Sequence, residues 1–201
     1  MQKLFADLCV PRRYQSKTLA GYRAELAIGK GYEMAKRYVD KYAVLKQTGQ
    51  NGLALVGPPG TGKTHLAYGI LNALLPQLRS AICGSVPDLM DLLRPKGDDK
   101  DLGKQRLQAL KTSELVILDD LGAEIDSEWV TERLFMIINT RYNEQLPTII
   151  TSNLPLEDLE RKPGWERIGS RISEMCFAAV VDGEDYRKRK DERHGNDKKS
   201  R

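Results

Sequence analysis

The stretch Gly57-Pro58-Pro59-Gly60-Thr61-Gly62-Lys63-Thr64 limits the folds open to this chain more than anything else in it. Glycine, four free positions, Gly-Lys and a hydroxyl residue form the pattern of a phosphate-binding loop. Its glycines permit a tight turn whose successive N–H groups point into one concave anion nest. Lys63 reaches β- and γ-phosphates, and the Thr64 hydroxyl offers an oxygen to Mg²⁺. The flanks agree with the loop. Leu53-Ala54-Leu55-Val56 before it is a short apolar run of the buried-strand kind. After it, Leu66, Ala67, Ile70, Leu71, Leu74 and Leu75 recur at helical spacing, which sets a helix N-terminus and its partial positive charge against the phosphates. A Gly-Pro turn carrying a surface lysine would need neither flank. The pattern predicts a site for ATP or ADP with Mg²⁺, contacted from Gly57 through Thr64 and the adjoining His65.

Further short apolar runs follow, separated by helical patterns. Strands are expected at 81–83, 115–118, 148–151 and 177–181. Helices are expected from Ser85-Val86-Pro87-Asp88 onward, over 104–111, over 128–142 behind a Ser127 cap, and over 165–175. Residues 95–103 read as a charged loop. Ahead of the first strand, 1–20 reads as a polar lead containing Pro11-Arg12-Arg13-Tyr14. Residues 22–46 read as a helix with Gly29 and Gly31 able to break its start. Buried strands alternating with helices predict an α/β fold with a parallel sheet covered on both faces. In such sheets the ligand sits beyond the carboxyl ends of the strands, where Gly57, Asp119 and Asn153 fall.

Two of those strand ends carry the remaining chemistry. Leu115-Val116-Ile117-Leu118 closes on Asp119-Asp120. Asp119 is read as the Mg²⁺ ligand beside Thr64, and Asp120 as the group that orients or deprotonates the attacking water. Asn153 adds a neutral amide that can hydrogen-bond the same water or the γ-phosphate without charge repulsion. The plainer readings are a solvated carboxylate at Asp120 and a turn-former at Asn153 before Leu154-Pro155.

The loop, Leu115–Asp120 with Leu121-Gly122-Ala123-Glu124, and Thr151-Ser152-Asn153 together resemble the AAA+ ATPases of the bacterial DnaC/DnaI helicase-loader group. The likeness continues through Gly169-Ser170-Arg171-Ile172 and Asp185-Tyr186-Arg187, and IstB-type transposition helpers look similar over the same span. The resemblance implies a three-layer P-loop NTPase of AAA+/ASCE type with five parallel strands. It makes Lys63, Asp120, Asn153 and Arg171 the catalytic set, with Asn153 as sensor 1. Arg171, or Arg167 near it, becomes an arginine finger serving a neighbouring subunit's γ-phosphate, and Arg187 a cis arginine near the nucleotide. A guanidinium suits both tasks because it stays charged and binds phosphate bidentately. Implied partners are a replicative DNA helicase, single-stranded DNA and further copies of the chain in an ATP-dependent spiral or filament. Two departures stand out. Many members carry Asp-Glu at Asp119-Asp120. Loaders also place a helicase-docking domain before the ATPase unit, whereas residues 1–50 here read as a lead and one helix, as in a short loader or an isolated ATPase module. The expected division is 1–50 lead and helix, 51–187 ATPase domain and 188–201 a basic, disordered tail.

Composition removes other classes. No apolar run nears the roughly 18 residues of a membrane helix, and the first residues lack a signal-peptide core, so a cytoplasmic protein without membrane contact is expected. Cys9, Cys83 and Cys176 are odd in number and widely spaced, which suits reduced thiols rather than a zinc site or disulfide frame. From residue 187 to the end, eight Lys/Arg face three Asp/Glu; that +5 within a net +4 leaves −1 elsewhere. Such a tail is either a solvated end or a nucleic-acid contact. Lys96, Lys100, Lys104, Arg106 and Lys111 offer a second basic region, mixed with Asp98, Asp99 and Asp101. The expected function is an ATP-hydrolysing helicase loader of DNA replication. Three alternatives are an IstB-like transposition helper, a nucleotide-gated adaptor with little hydrolysis, and a small-molecule kinase active as a monomer.

Overall fold

The computed structural model describes residues 10–22, 27–28, 30–95, 100–123 and 127–186. Strands β2 (Gly52–Val56), β3 (Ala81–Ser85), β4 (Leu115–Leu121), β5 (Thr148–Ser152) and β6 (Cys176–Val180) form a parallel sheet in the order β3-β4-β5-β2-β6. Its strands are apolar on both sides because helices cover both. Leu53, Leu55, Cys83, Leu115, Ile117 and Ile149 face one core with helices α2 (Gly31–Leu45) and α3 (Lys63–Leu74). The intervening residues Ala54, Val56, Ile82, Val116, Leu118 and Ile150 face the other. That side is covered by α4 (Val86–Leu93), α5 (Lys100–Thr112), α6 (Glu128–Asn143) and α8 (Glu166–Met175). The period of 2 along each strand thus sorts its residues into two cores. The fold is the α/β class that the alternating pattern predicts.

Local chemistry sets the helix starts. The Ser85 hydroxyl accepts from the Asp88 N–H to cap α4, and the Ser127 hydroxyl accepts from the Val130 N–H to cap α6. Arg141 of α6 is wholly buried. It donates to Thr148 Oγ1, to the Leu110 and Ser113 carbonyls and to the Pro147 carbonyl, at 2.7–3.0 Å. Burial pulls its pKa down to about 9. These bonds tie α6 and the end of α5 to the start of β5, the strand that leads to Asn153.

Several boundaries differ from the sequence expectation. The helix expected over 22–46 begins only at Gly31, because residues 27–28 form strand β1 (Ala27–Ile28), antiparallel to β7 (Asp182–Gly183). Gly31 is needed where that helix meets the sheet: a Cβ there would lie 2.4 Å from Val181 Cγ2. Ala35, Tyr38 and Tyr42 of α2 join the core under β2. Helix α5 starts at Lys100 rather than 104, and the short helices α1 (Arg12–Gln15) and α7 (Leu156–Arg161) have no counterpart in the sequence reading. Cys83 and Cys176 are buried thiols outside any disulfide. Among the described residues no helix is long and apolar enough to cross a membrane. The expectations for Arg187, Glu124, Cys9, Lys96, the Lys100 side chain and the tail at 188–201 lie outside the described residues.

Candidate nucleotide site

The phosphate-binding pattern lies between β2 and α3. Gly57 has φ 145°, and a Cβ there would come within 2.2 Å of the Val181 carbonyl oxygen, so only glycine allows β6's end to approach. Gly62 caps α3 in the left-handed region with φ 98°. Thr61 Oγ1 donates to the Pro58 carbonyl at 2.9 Å and staples the loop across its own turn. Lys63 is only 6% exposed, and its Nζ donates to the Gly57 and Pro58 carbonyls at 2.7 Å each. Its ammonium therefore rests on the loop at the mouth of α3.

The loop opens into a cavity of about 430 Å³ at the carboxyl ends of the strands. Pro59, Gly60, Thr61, Gly62, Lys63, Thr64 and His65 line it, together with Asp119, Asp120 and Asn153. Gly57 and Pro58 do not line it; their carbonyls accept from Lys63 Nζ. Asp119 Oδ1 accepts from Thr64 Oγ1 at 2.9 Å and from Thr151 Oγ1 at 2.6 Å. Burial pushes the Asp119 carboxyl above its usual range, while the two hydroxyls and the nearby Lys63 oppose that push. Carboxylate and hydroxyl oxygens meeting at the phosphate end fit a small hard cation such as Mg²⁺. Asp120 Oδ1 accepts from Asn153 Nδ2 at 2.9 Å, so the second carboxylate and the amide form one polar pair over the cavity.

Two walls lie outside the motifs. The lead folds across α3: Asn72 Nδ2 donates to the Tyr14 and Lys17 carbonyls at 3.0 and 2.7 Å, and Tyr14 stacks on Tyr68 with centroids 4.6 Å apart. Tyr22 OH donates to the Thr61 carbonyl at 3.0 Å, and His65 Nε2 lies 3.0 Å from the Thr18 carbonyl. Burial lowers the His65 pKa, which favours the neutral ring against Tyr22. On the other side the Tyr186 N–H donates to the Gly60 carbonyl at 3.2 Å, and the Asp185 carboxylate packs where a Gly60 Cβ would be. Arg13, Tyr14, Lys17 and Tyr22 are thus site residues that motif spacing does not reach, although the Arg-Arg-Tyr cluster before the first strand was a compositional sign.

Arg171 is absent from this cavity's lining. On α8 its Nε donates to Asn139 Oδ1 at 2.8 Å and its Nη1 to the Arg167 carbonyl at 3.1 Å. Its guanidinium lies over the rings of Phe135 and Tyr142, and Arg167 lies over Phe135.

Known proteins resemble this chain in sequence and in structure. The phage-like element PBSX protein XkdC of Bacillus subtilis is 30% identical over 172 residues, covering 80% of this chain and 61% of XkdC. The replicative helicase loader DnaI of Bacillus subtilis is 29% identical over 140 residues, covering 69% of this chain and 45% of DnaI. The chain thus spans about half to three-fifths of the length of these relatives. A crystal structure of the DnaC helicase loader superposes with a TM-score of 0.69 at 30% identity, covering 85% of this chain and 99% of that one. The architecture is accordingly that of the AAA+ domains of the loader group. Residues 15–194 match the sequence profile of the IstB-like ATP binding proteins, and the chain belongs to that family.

Proposed function

We propose that this chain binds and hydrolyses ATP with Mg²⁺ and serves DNA replication as a helicase loader, assembling with ATP and gripping single-stranded DNA. The observation that carries the reading is the convergence of Lys63, the Thr64–Asp119 bond and the Asp120–Asn153 pair on one cavity at the strand ends. The loop N–H groups and Lys63 would hold the β- and γ-phosphates. Thr64 and Asp119 would hold Mg²⁺, which supplies charge neutralisation at the phosphates. Asp120 orients or deprotonates the attacking water, and Asn153 fixes the direction of that carboxylate. The proposed ATPase unit is residues 51–187 together with α2 and the lead, which share its core and line its cavity, and Arg187 is proposed to serve the nucleotide. Kinship with DnaI and DnaC supports the loader role and a ring-helicase partner. Membership of the IstB-like ATP binding proteins supports a helper of transposition as the second reading.

Binding of labelled oligonucleotide, followed by anisotropy with ATP, with ADP and without nucleotide, tests the coupling to DNA. The expected result is tight, salt-sensitive binding with ATP alone. Three coincident curves would leave an ATPase whose cycle is not linked to DNA. Pull-down of a purified replicative helicase against a purified transposase separates the loader from the helper. Within the site, Asp120→Asn should keep ATP affinity within about twofold and lower turnover by roughly 10²-fold, the low end of general-base effects. Steady-state kinetics at saturating ATP read this directly. Unchanged turnover would move the base elsewhere, with Glu124 the first position to test.

A further inference from the structure

Adjacent residues of a strand point to opposite faces of a sheet. Asp119 and Asp120 nevertheless both line the same cavity. The register explains how. Leu118 pairs with Ile150 and Leu121 with Ser152, so Asp119 and Asp120 together oppose a single residue of β5. This is a β-bulge, and the opposed residue is Thr151. Asp120 absorbs the extra residue with φ 59°, a left-handed conformation that non-glycine residues hold only when their neighbours fix it.

The Thr151 hydroxyl, 1% exposed as a residue, serves both halves of the bulge. It donates to Asp119 Oδ1 at 2.6 Å and accepts from the Asp120 N–H at 2.8 Å. Two residues farther along, Asn153 takes the Asp120 carboxylate. We infer that Thr151 is a positioning residue whose single hydroxyl locks the metal-facing Asp119 to the backbone turn at Asp120, so that both carboxylates serve one bound nucleotide. Without it the Asp120 amide loses its acceptor and Asp119 its shortest bond. Ordinary strand alternation then competes, and it carries Asp120 away from the cavity. This inference rests on the proposed Mg·ATP site.

The test uses the full chain with Thr151→Val, which keeps the shape and removes the hydroxyl, and Thr151→Ser, which keeps the hydroxyl and removes a methyl. ATP affinity is measured by calorimetry in EDTA and in Mg²⁺, turnover at saturating ATP, and folding by circular dichroism. In Thr151→Val the affinity in EDTA should stay within about twofold of wild type, since the phosphate nest is untouched. The gain on adding Mg²⁺ should fall by about fivefold or more, with KM for Mg·ATP rising to match, and turnover at saturating Mg·ATP should fall by about tenfold or more. Thr151→Ser should recover both to within about threefold. Wild-type behaviour in Thr151→Val overturns the proposal, and so does a Thr151→Ser chain as defective as Thr151→Val, which would make the methyl's packing the cause. Should Thr151→Val not fold, Thr151→Ala supplies the same comparison; failure of both to fold makes the hydroxyl purely structural and also overturns it. A wild-type chain that binds Mg·ATP without turning it over defeats the hydrolysis reading alone, and Thr151 is then judged on the Mg²⁺ gain. A wild-type chain that binds no nucleotide defeats both.

Discussion

Replacing Lys63 by alanine is expected to lower kcat/KM for ATP by about 10³–10⁵-fold, through losses at two stages. A charge-assisted hydrogen bond to phosphate contributes about 1.5–3 kcal/mol to binding, or roughly 10–150-fold in affinity. An ammonium held where charge develops on the transferring phosphoryl group adds roughly 10²-fold or more to turnover. Lys63 is suited to both because it is nearly buried and already fixed, with Nζ on the Gly57 and Pro58 carbonyls. In the proposed site it would exchange those carbonyls for phosphate oxygens, so little side-chain freedom would remain to be lost. The substitution also strips two carbonyls of their donor, and a distorted loop must be told apart from a missing charge. Adenosine nucleotides of different length do this. Lys63→Ala should lose most affinity for ATP, less for ADP and little for AMP, whose single phosphate does not reach the lysine. Equal ATP affinity in wild type and Lys63→Ala by calorimetry sinks the site assignment. Equal losses for all three nucleotides point to collapse of the loop.

How far the sequence discloses this site depends on the range of the interactions involved. Lys63, Thr64 and Asp119 were legible because a short pattern reports a local geometry: a strand, a tight turn and a helix start for the first two, a strand end for the third. The five sheet strands were legible for the same reason, since apolar runs bounded by polar residues describe burial on both faces. Helix α2 starts later than its periodicity predicts because the choice between helix and strand at residues 27–28 is made by β7, some 150 residues away, through pairing of Ala27 with Gly183. No local pattern contains that partner. The lead's place across α3 rests on Asn72 donating to three of its carbonyls and on the Tyr14–Tyr68 stack, both distant in sequence. The bulge was hidden more deeply. Asp119-Asp120 reads as the end of a regular strand, and only the register against β5 shows that one residue has been inserted and that Thr151 answers for both.

The expectation with the widest consequence concerns Arg171. Arg171→Ala should leave ATP affinity within a few-fold of wild type and lower turnover by up to the 10³–10⁵-fold of trans-acting arginines. Two observations motivate it. The side chain does not line the cavity of its own chain, so the expected effect on chemistry would come through a second subunit. It is also held ready: Asn139 and the Arg167 carbonyl take two of its donors, and the rings of Phe135 and Tyr142 support its plane. A guanidinium fixed in this way loses little freedom when it meets a phosphate. Arg167, more exposed on the same helix, is the control, and a turnover loss in Arg167→Ala with none in Arg171→Ala would transfer the role to it. Mixing separates action between subunits from action within one. A Lys63→Ala subunit keeps its arginine, and an Arg171→Ala subunit keeps its pocket. In a random equimolar head-to-tail assembly about a quarter of the interfaces join the two intact halves, and turnover should recover toward that fraction. Such contacts join unlike surfaces and need not close into a ring, so activity should rise with protein concentration as a spiral or filament grows. No recovery on mixing, together with specific activity constant down to concentrations where the chain is monomeric, would place the whole reaction within one subunit and favour the kinase-like reading.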